Sequence, residues 1–164
     1  KSNLLRHQRD LKRLQGRLPP NLIKRRLLRK HLMFKLDLQL EDKTLYVKEL
    51  ALCQIRLVND RRYPWLILVP QKNGLTEIHN LSEEDQSRLI IEITTTTRII
   101  EKLFQPEKIN VGALGNIVSQ LHIHVIARFK EDDMWPGAVW GNGKPLHYTE
   151  YKARKLIKLL TKDL

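Results

Sequence analysis

The stretch Gln120-Leu121-His122-Ile123-His124-Val125-Ile126 alternates polar and apolar side chains, which is the pattern of a half-buried β-strand. Successive side chains of a strand point to opposite faces of the sheet. One face of the predicted strand carries Gln120, His122 and His124. The other carries Leu121, Ile123 and Val125, packed in a core. Two imidazoles that titrate near neutral pH would then stand together on a rigid platform, which favours a reactive site.

Two other interpretations of the histidine pair stay open at this point. Histidines two residues apart can ligate a metal ion, but zinc usually takes a third or fourth ligand, and the chain has a single cysteine, Cys53. The pair is equally compatible with ordinary, half-buried histidines on a solvated strand. The rest of the sequence is needed to choose among the three.

The remaining pattern predicts an α+β fold. Strand-like runs occupy residues 44–47, 52–58, 65–69, 109–112 and 119–129, with residues 59–62 as a turn. Ser82 followed by an acid three residues later is typical of a helix start, and apolar residues at helical spacing continue from there towards Pro106. Residues 149–164 predict a C-terminal helix. This order of elements indicates an antiparallel sheet of about five strands with a central helix lying across it.

The histidine stretch resembles the signature of the histidine triad (HIT) superfamily of nucleotide hydrolases and transferases, His-φ-His-φ-His-φ-φ, where φ is apolar. The likeness covers residues 33–140 and is that of a compact, bacterial-type HIT protein. It also includes, in the family's order, residues 56–59, 63–70, 110–112, 115–119 and 135–137. One position departs from the pattern, because Gln120 stands where the first histidine of the triad is expected.

The resemblance implies both a reaction and roles for particular residues. HIT enzymes cleave nucleoside phosphoramidates or dinucleoside polyphosphates at the α-phosphate, through a nucleotidyl-histidine intermediate and without a cofactor. The middle histidine, His122 here, is the nucleophile. His124 then contacts the phosphate, and Gln120 joins the surrounding hydrogen bonds, where its substitution affects the rate.

Nucleotide-binding residues also follow from the resemblance. They are Asn59, Asn110, Gly115, Asn116, Ile117, Val118 and Ser119. Asn59 and Asn110 are expected at the ribose or phosphate, and the others form a loop on the phosphate side. A simpler interpretation is open for the two asparagines, since asparagine is common in turns for its local hydrogen bonds. Trp135 and Trp140 either cover the substrate or pack against the sheet or a partner subunit, because HIT proteins are homodimers.

The positive charge of the chain is concentrated at one end. Residues 1–32 hold 11 of the 30 Lys and Arg residues and one of the 18 Asp and Glu residues, so their net charge is +10 out of +12. Leucines at helical spacing make this extension amphipathic, and residues 33–164 form the predicted HIT domain. Such an arm binds nucleic acid or an acidic membrane surface, is an organellar presequence, or has no bearing on catalysis. The alternative function is therefore a catalytically weak nucleotide- or RNA-binding protein that uses this arm.

The location of the protein is predicted from cysteine usage and hydropathy. Cys53 has no partner within the chain for a disulfide, which favours a reducing compartment such as the cytoplasm. No run approaches the roughly 18 apolar residues that a membrane-spanning helix needs.

Overall fold

The computed structural model describes residues 34–164, of which Leu36–Leu164 form one compact unit. The basic extension predicted at residues 1–32 lies outside the described residues. The elements, in chain order, are α1 (Leu38–Lys43), β1 (Thr44–Glu49), β2 (Cys53–Val58), β3 (Trp65–Pro70), a 3₁₀ helix (Ile78–Asn80), α2 (Glu83–Phe104), β4 (Lys108–Gly112), β5 (Ile123–Arg128) and α3 (Glu150–Asp163).

The five strands form one antiparallel sheet in the order β1-β2-β3-β5-β4. β5 is the last strand in the sequence but lies between β3 and β4, so His124 is flanked by a strand on each side. The predicted α+β fold, with five antiparallel strands, a long helix and a C-terminal helix, is confirmed.

The long helix α2 begins where the sequence predicts. The Ser82 side chain accepts a hydrogen bond from the backbone N–H of Asp85 at 3.2 Å, which satisfies one donor of the first turn. Leu89 and Ile100 are fully buried against the sheet. The buried carboxylate of Glu92 accepts hydrogen bonds from two backbone N–H groups at the start of β2, at 2.8 and 2.9 Å. These contacts fix α2 across one face of the sheet.

The hydrophobic core lies on that face. It joins alternate residues of the strands, such as Ile55, Leu68 and Val125, to residues of α2 and to Leu160 of α3. The helices cover this face. The alternate residues of each strand, including His124, therefore point to the opposite face.

The prediction of a strand over residues 119–129 is wrong at its first four positions and at its last, Phe129. β5 begins at Ile123, because β4 ends at Gly112, which pairs with His124, and the pairing with β3 ends at Leu68 and Ile123. The backbone N–H of Leu121 instead donates to the carbonyl of Leu75 at 2.9 Å, outside the sheet. The alternation of side chains nevertheless continues, since Leu121 is buried in the core.

Candidate active site

His122 and His124 come together on the face of the sheet opposite the core. Their ring centroids lie 4.8 Å apart in an edge-on arrangement. Their exposed fractions are only 7% and 9%, so both rings are held in a largely desolvated setting. With so little water around them, the hydrogen bonds that each ring makes to protein groups decide which of its nitrogens carries the proton.

The hydrogen bond of His122 fixes which of its nitrogens carries the proton. Nδ1 lies 2.7 Å from the backbone carbonyl oxygen of Gln120. A carbonyl oxygen only accepts, so Nδ1 carries the proton and donates it. The lone pair of the neutral ring is therefore on Nε2.

His124 has the opposite arrangement. The indole N–H of Trp65 donates to Nδ1 of His124 at 2.9 Å, so Nδ1 holds the lone pair and the proton is on Nε2. Burial, followed by repulsion from His122, lowers the pKa of His124 from 6.5 to about 3. His124 is accordingly neutral at physiological pH, with an N–H group at Nε2.

Aromatic side chains surround His124. Trp65 and Trp140 contact it with ring centroids 5.5 and 5.8 Å away. Trp140 also lies against Gly112, where a Cβ atom would approach the indole ring to 3.4 Å. Within residues 34–164, the buried indole N–H of Trp140 has no hydrogen-bond partner. A donor without a partner beside His124 could serve a bound ligand.

A buried ion pair holds the segment that leads from β5 towards Trp140. Arg128 bonds to both carboxylate oxygens of Asp132, at 2.7 and 2.9 Å, and to the carbonyl of Gly137 at 2.8 Å. It also donates to Oδ1 of Asn110 at 2.7 Å. Asn110, predicted to bind the nucleotide, is the cross-strand partner of Ile126, on the same face of the sheet as the histidines. Its side-chain carbonyl accepts the hydrogen bond from Arg128.

The turn after β2 borders a cavity of about 480 Å³. Oδ1 of Asn59 accepts from the backbone N–H of Tyr148 at 3.0 Å, and Asp60 pairs with Arg62 at 2.6 Å. Both bonds tether the turn, and Asn59 also lines the cavity. Trp65 is a second lining residue, so one side chain connects this cavity with His124.

The remaining predicted site residues lie before β5. Oε1 of Gln120 accepts from the backbone N–H of Asp37 at 2.8 Å, so this side chain fastens the segment ahead of α1. The backbone carbonyl of the same residue accepts from His122. Residues 115–119 lie within the loop that connects β4 to β5, directly before Gln120. Its members Gly115, Asn116, Ile117 and Ser119 are exposed, whereas Val118 is buried.

Sequence reasoning placed Trp65 in a strand that resembles those holding the nucleoside in HIT proteins, but gave no individual role to Trp65, Arg128 or Asp132. Arg128 had a usable signal, because it continues the alternation of His122 and His124 and has an acid four residues later. Trp65 had none, since its approach to His124 depends on the register between β3 and β5.

Residues 34–164 contain neither a ready-made metal site nor a membrane-spanning helix. No group of three or more His, Cys, Asp and Glu side chains there is placed to hold a metal ion. No helix in this part of the chain is both long and apolar enough to cross a membrane.

Comparison with known proteins assigns the family. The family model of the HIT domain matches residues 39–131. The chain belongs to the HIT family. It is similar to crystal structures of histidine triad proteins from Sinorhizobium meliloti (46% identity, 80% of this chain and 97% of that chain, TM-score 0.78) and Marinobacter aquaeolei (42% identity, 80% and 96%, TM-score 0.79). A histidine triad protein from Bradyrhizobium japonicum is 35% identical over 80% of this HIT protein and 98% of its own chain, with a TM-score of 0.78. No curated protein matches.

Proposed function

We propose that this HIT protein is a nucleotide hydrolase or transferase that cleaves nucleoside phosphoramidates or dinucleoside polyphosphates at the α-phosphate. The observation that carries the proposal is the opposite placement of protons on the two histidines. Nε2 of His122 has a lone pair for attack on phosphorus, and Nε2 of His124 carries an N–H group that donates a hydrogen bond to a phosphate oxygen. A nucleophile and a hydrogen-bond donor thus stand side by side before any substrate binds.

The proposed reaction has two displacements. In the first, the lone pair on Nε2 of His122 forms a bond to the α-phosphorus, and the bond from phosphorus to the bridging oxygen or nitrogen breaks. The leaving group takes that electron pair and, where it departs as an amine, a proton from solvent. In the second, water attacks the same phosphorus and loses a proton to solvent, the nitrogen–phosphorus bond breaks, and its electron pair returns to Nε2. In a transferase, another hydroxyl compound replaces the water.

The nucleoside is proposed to occupy the cavity beside Asn59. A volume of about 480 Å³ falls within the range of about 300–1,000 Å³ that is usual for small-ligand sites. In this proposal Asn59 and Asn110 approach the ribose or phosphate, and Gly115, Asn116, Ile117, Val118 and Ser119 form the phosphate-side loop. Gly115 has a positive φ of 70°, which glycine adopts without strain, and its lack of a side chain lets phosphate approach the main chain.

Replacement of the proposed nucleophile tests the function. His122→Ala should abolish hydrolysis of adenosine phosphoramidate and diadenosine polyphosphates, and should keep the affinity for the nucleotide within about tenfold, or about 1.4 kcal/mol. His79→Ala is the matched control, because His79 is an exposed residue of the 3₁₀ helix. Hydrolysis by His122→Ala at the rate of the parent protein would overturn the proposal.

The basic extension supports a competing function. If residues 1–32 bind RNA and the Gln120 site is inactive, affinity for RNA should fall steeply as salt increases, and removal of residues 1–32 should eliminate it. Turnover of nucleotides that is unaffected by this truncation favours the enzyme. Absence of turnover with salt-sensitive RNA binding favours the binder.

We also propose a homodimer, with the cytoplasm as the location expected from the unpaired Cys53. β4 is an edge of the sheet, and Val111 on it is 49% exposed. Ile90 and Ile91 of α2 are 61% and 55% exposed. Light scattering should give twice the chain mass of 19.4 kDa, and Ile91→Lys should lower it, whereas Tyr151→Lys on α3 should not. A monomeric parent protein would exclude the dimer.

A further inference from the structure

The hydrogen bond between Trp65 and His124 has chemical directionality. An indole nitrogen can only donate, so the imidazole nitrogen that it contacts must be unprotonated. At 2.9 Å the bond is of ordinary length for an N–H donor. It therefore distinguishes the two tautomers of neutral His124 and keeps the proton on the outer nitrogen, Nε2.

Trp65 is itself held by rigid neighbours. It pairs with Ile126 in the ladder between β3 and β5, so its backbone is fixed on the strand next to the one that carries His124. The ring of Tyr63 packs edge-on against its indole with centroids 6.4 Å apart. A donor anchored on the neighbouring strand can set the orientation of an imidazole ring with little freedom for either to turn.

The orientation of His124 matters because of His122. If His124 carried its proton on Nδ1, two nitrogen lone pairs would lie on neighbouring rings with centroids 4.8 Å apart, facing a negatively charged phosphate. The lone pair of His124 would then repel the phosphate oxygen, and the transition state would lose the hydrogen bond that Nε2 of His124 donates in the observed tautomer. A second proton on His124 would have to enter at Nδ1, where the N–H of Trp65 already points.

We propose that Trp65 is a positioning residue that fixes His124 as a neutral hydrogen-bond donor towards phosphate, opposite in tautomer to His122. The effect of Trp65 on catalysis rests on the proposed function, whereas its effect on the tautomer of His124 does not. Trp65 makes no bond to the reacting phosphorus; it acts through His124.

The first test needs no substrate, so it stands even if the proposed reaction is wrong. Nitrogen-15 NMR of the histidine side chains in the full chain should show Nδ1 of His124 as an unprotonated acceptor and Nε2 as protonated. Trp65→Phe keeps an aromatic ring but removes the donor. In this variant, a second tautomer or ring orientation should appear, and His124 should accept a proton at higher pH than in the parent protein.

Two further variants keep the test specific. Trp140→Phe is the matched control, because Trp140 contacts the same imidazole without a hydrogen bond to it, and the tautomer of His124 should stay unchanged. Trp65→His restores a donor and should recover the parent pattern at least partly. If Trp65→Phe fails to fold, the tautomer in the parent protein still decides: a proton on Nδ1 of His124 overturns the proposal.

Kinetics supply the catalytic readout. Trp65→Phe should lower kcat about fivefold to tenfold, as expected for one weakened hydrogen bond, and leave KM within about threefold. Trp65→His should regain part of kcat. An unchanged tautomer and an unchanged kcat in Trp65→Phe would show that Trp65 only packs.

Discussion

The buried, neutral state of His124 should make the folded chain sensitive to acid. In the unfolded chain this histidine titrates near 6.5, whereas burial in the fold lowers its pKa to about 3. Above pH 6.5 neither state binds a proton and His124 adds no pH dependence. Between these two pKa values the unfolded chain binds a proton that the folded chain excludes, so stability falls as the pH falls.

The size of this effect follows from the pKa difference. Each pH unit below 6.5 costs about 1.4 kcal/mol while the folded group stays unprotonated. At about pH 5 the loss is about 2 kcal/mol relative to neutral pH, a large part of the stability of a typical domain. The side chains that face His124 are His122, Trp65 and Trp140. Of these three, only His122 can itself carry a positive charge.

Urea unfolding of the parent protein and of His124→Gln, each at about pH 5 and pH 7.5, isolates the contribution of His124. Titrating groups distant from His124 are common to both chains, so their effects cancel in the difference of differences, whereas His122, which contacts His124, contributes to that difference together with it. The parent protein should lose about 2 kcal/mol more than the variant on acidification. His79→Gln, at an exposed histidine, should behave like the parent protein. A difference below about 0.5 kcal/mol would refute the assignment of His124 as a buried neutral group.

Three further predictions concern the site. Arg128→Met should lower the free energy of unfolding by about 3–5 kcal/mol, because buried Asp132 loses its partner; a loss below about 1 kcal/mol in urea titrations would contradict this. Asn59→Ala should raise KM for nucleotides more than it lowers kcat in steady-state kinetics, because Asn59 lines the cavity and tethers Tyr148. An unchanged KM would show that Asn59 does not bind the nucleotide. Since neutral His124 donates a hydrogen bond but no proton, turnover across a series of substrates should slow as the pKa of the leaving group rises, and a flat series would contradict its role.

The sequence pattern predicts local structure well where a single periodicity controls it. Alternation from Leu121 to Ile126 assigns the two faces around His124 correctly, because a strand with one face in a core tolerates only one register. The Ser82 cap was predictable for a similar reason, since its partner is three residues away. Both depend on neighbours in sequence.

Contacts between distant parts of the chain could not be predicted in this way. The bond from Trp65 to His124 joins residues 59 positions apart, and the bond from Asn59 to the backbone of Tyr148 joins residues 89 apart. Both depend on strand order and on the path of the C-terminal segment. The early start predicted for β5 has the same origin, because alternation continues past the point where β4 ends.

Trapping of the covalent intermediate tests the central claim most directly. The full chain is mixed with a substrate labelled at the α-phosphate, quenched within one turnover under conditions that preserve nitrogen–phosphorus bonds, and mapped by peptide mass spectrometry. The label should be found on the peptide that contains His122, on the ring nitrogen Nε2, and should be absent from His122→Ala. Product formation with the label on another residue, or with no labelled peptide at any time, would contradict the account.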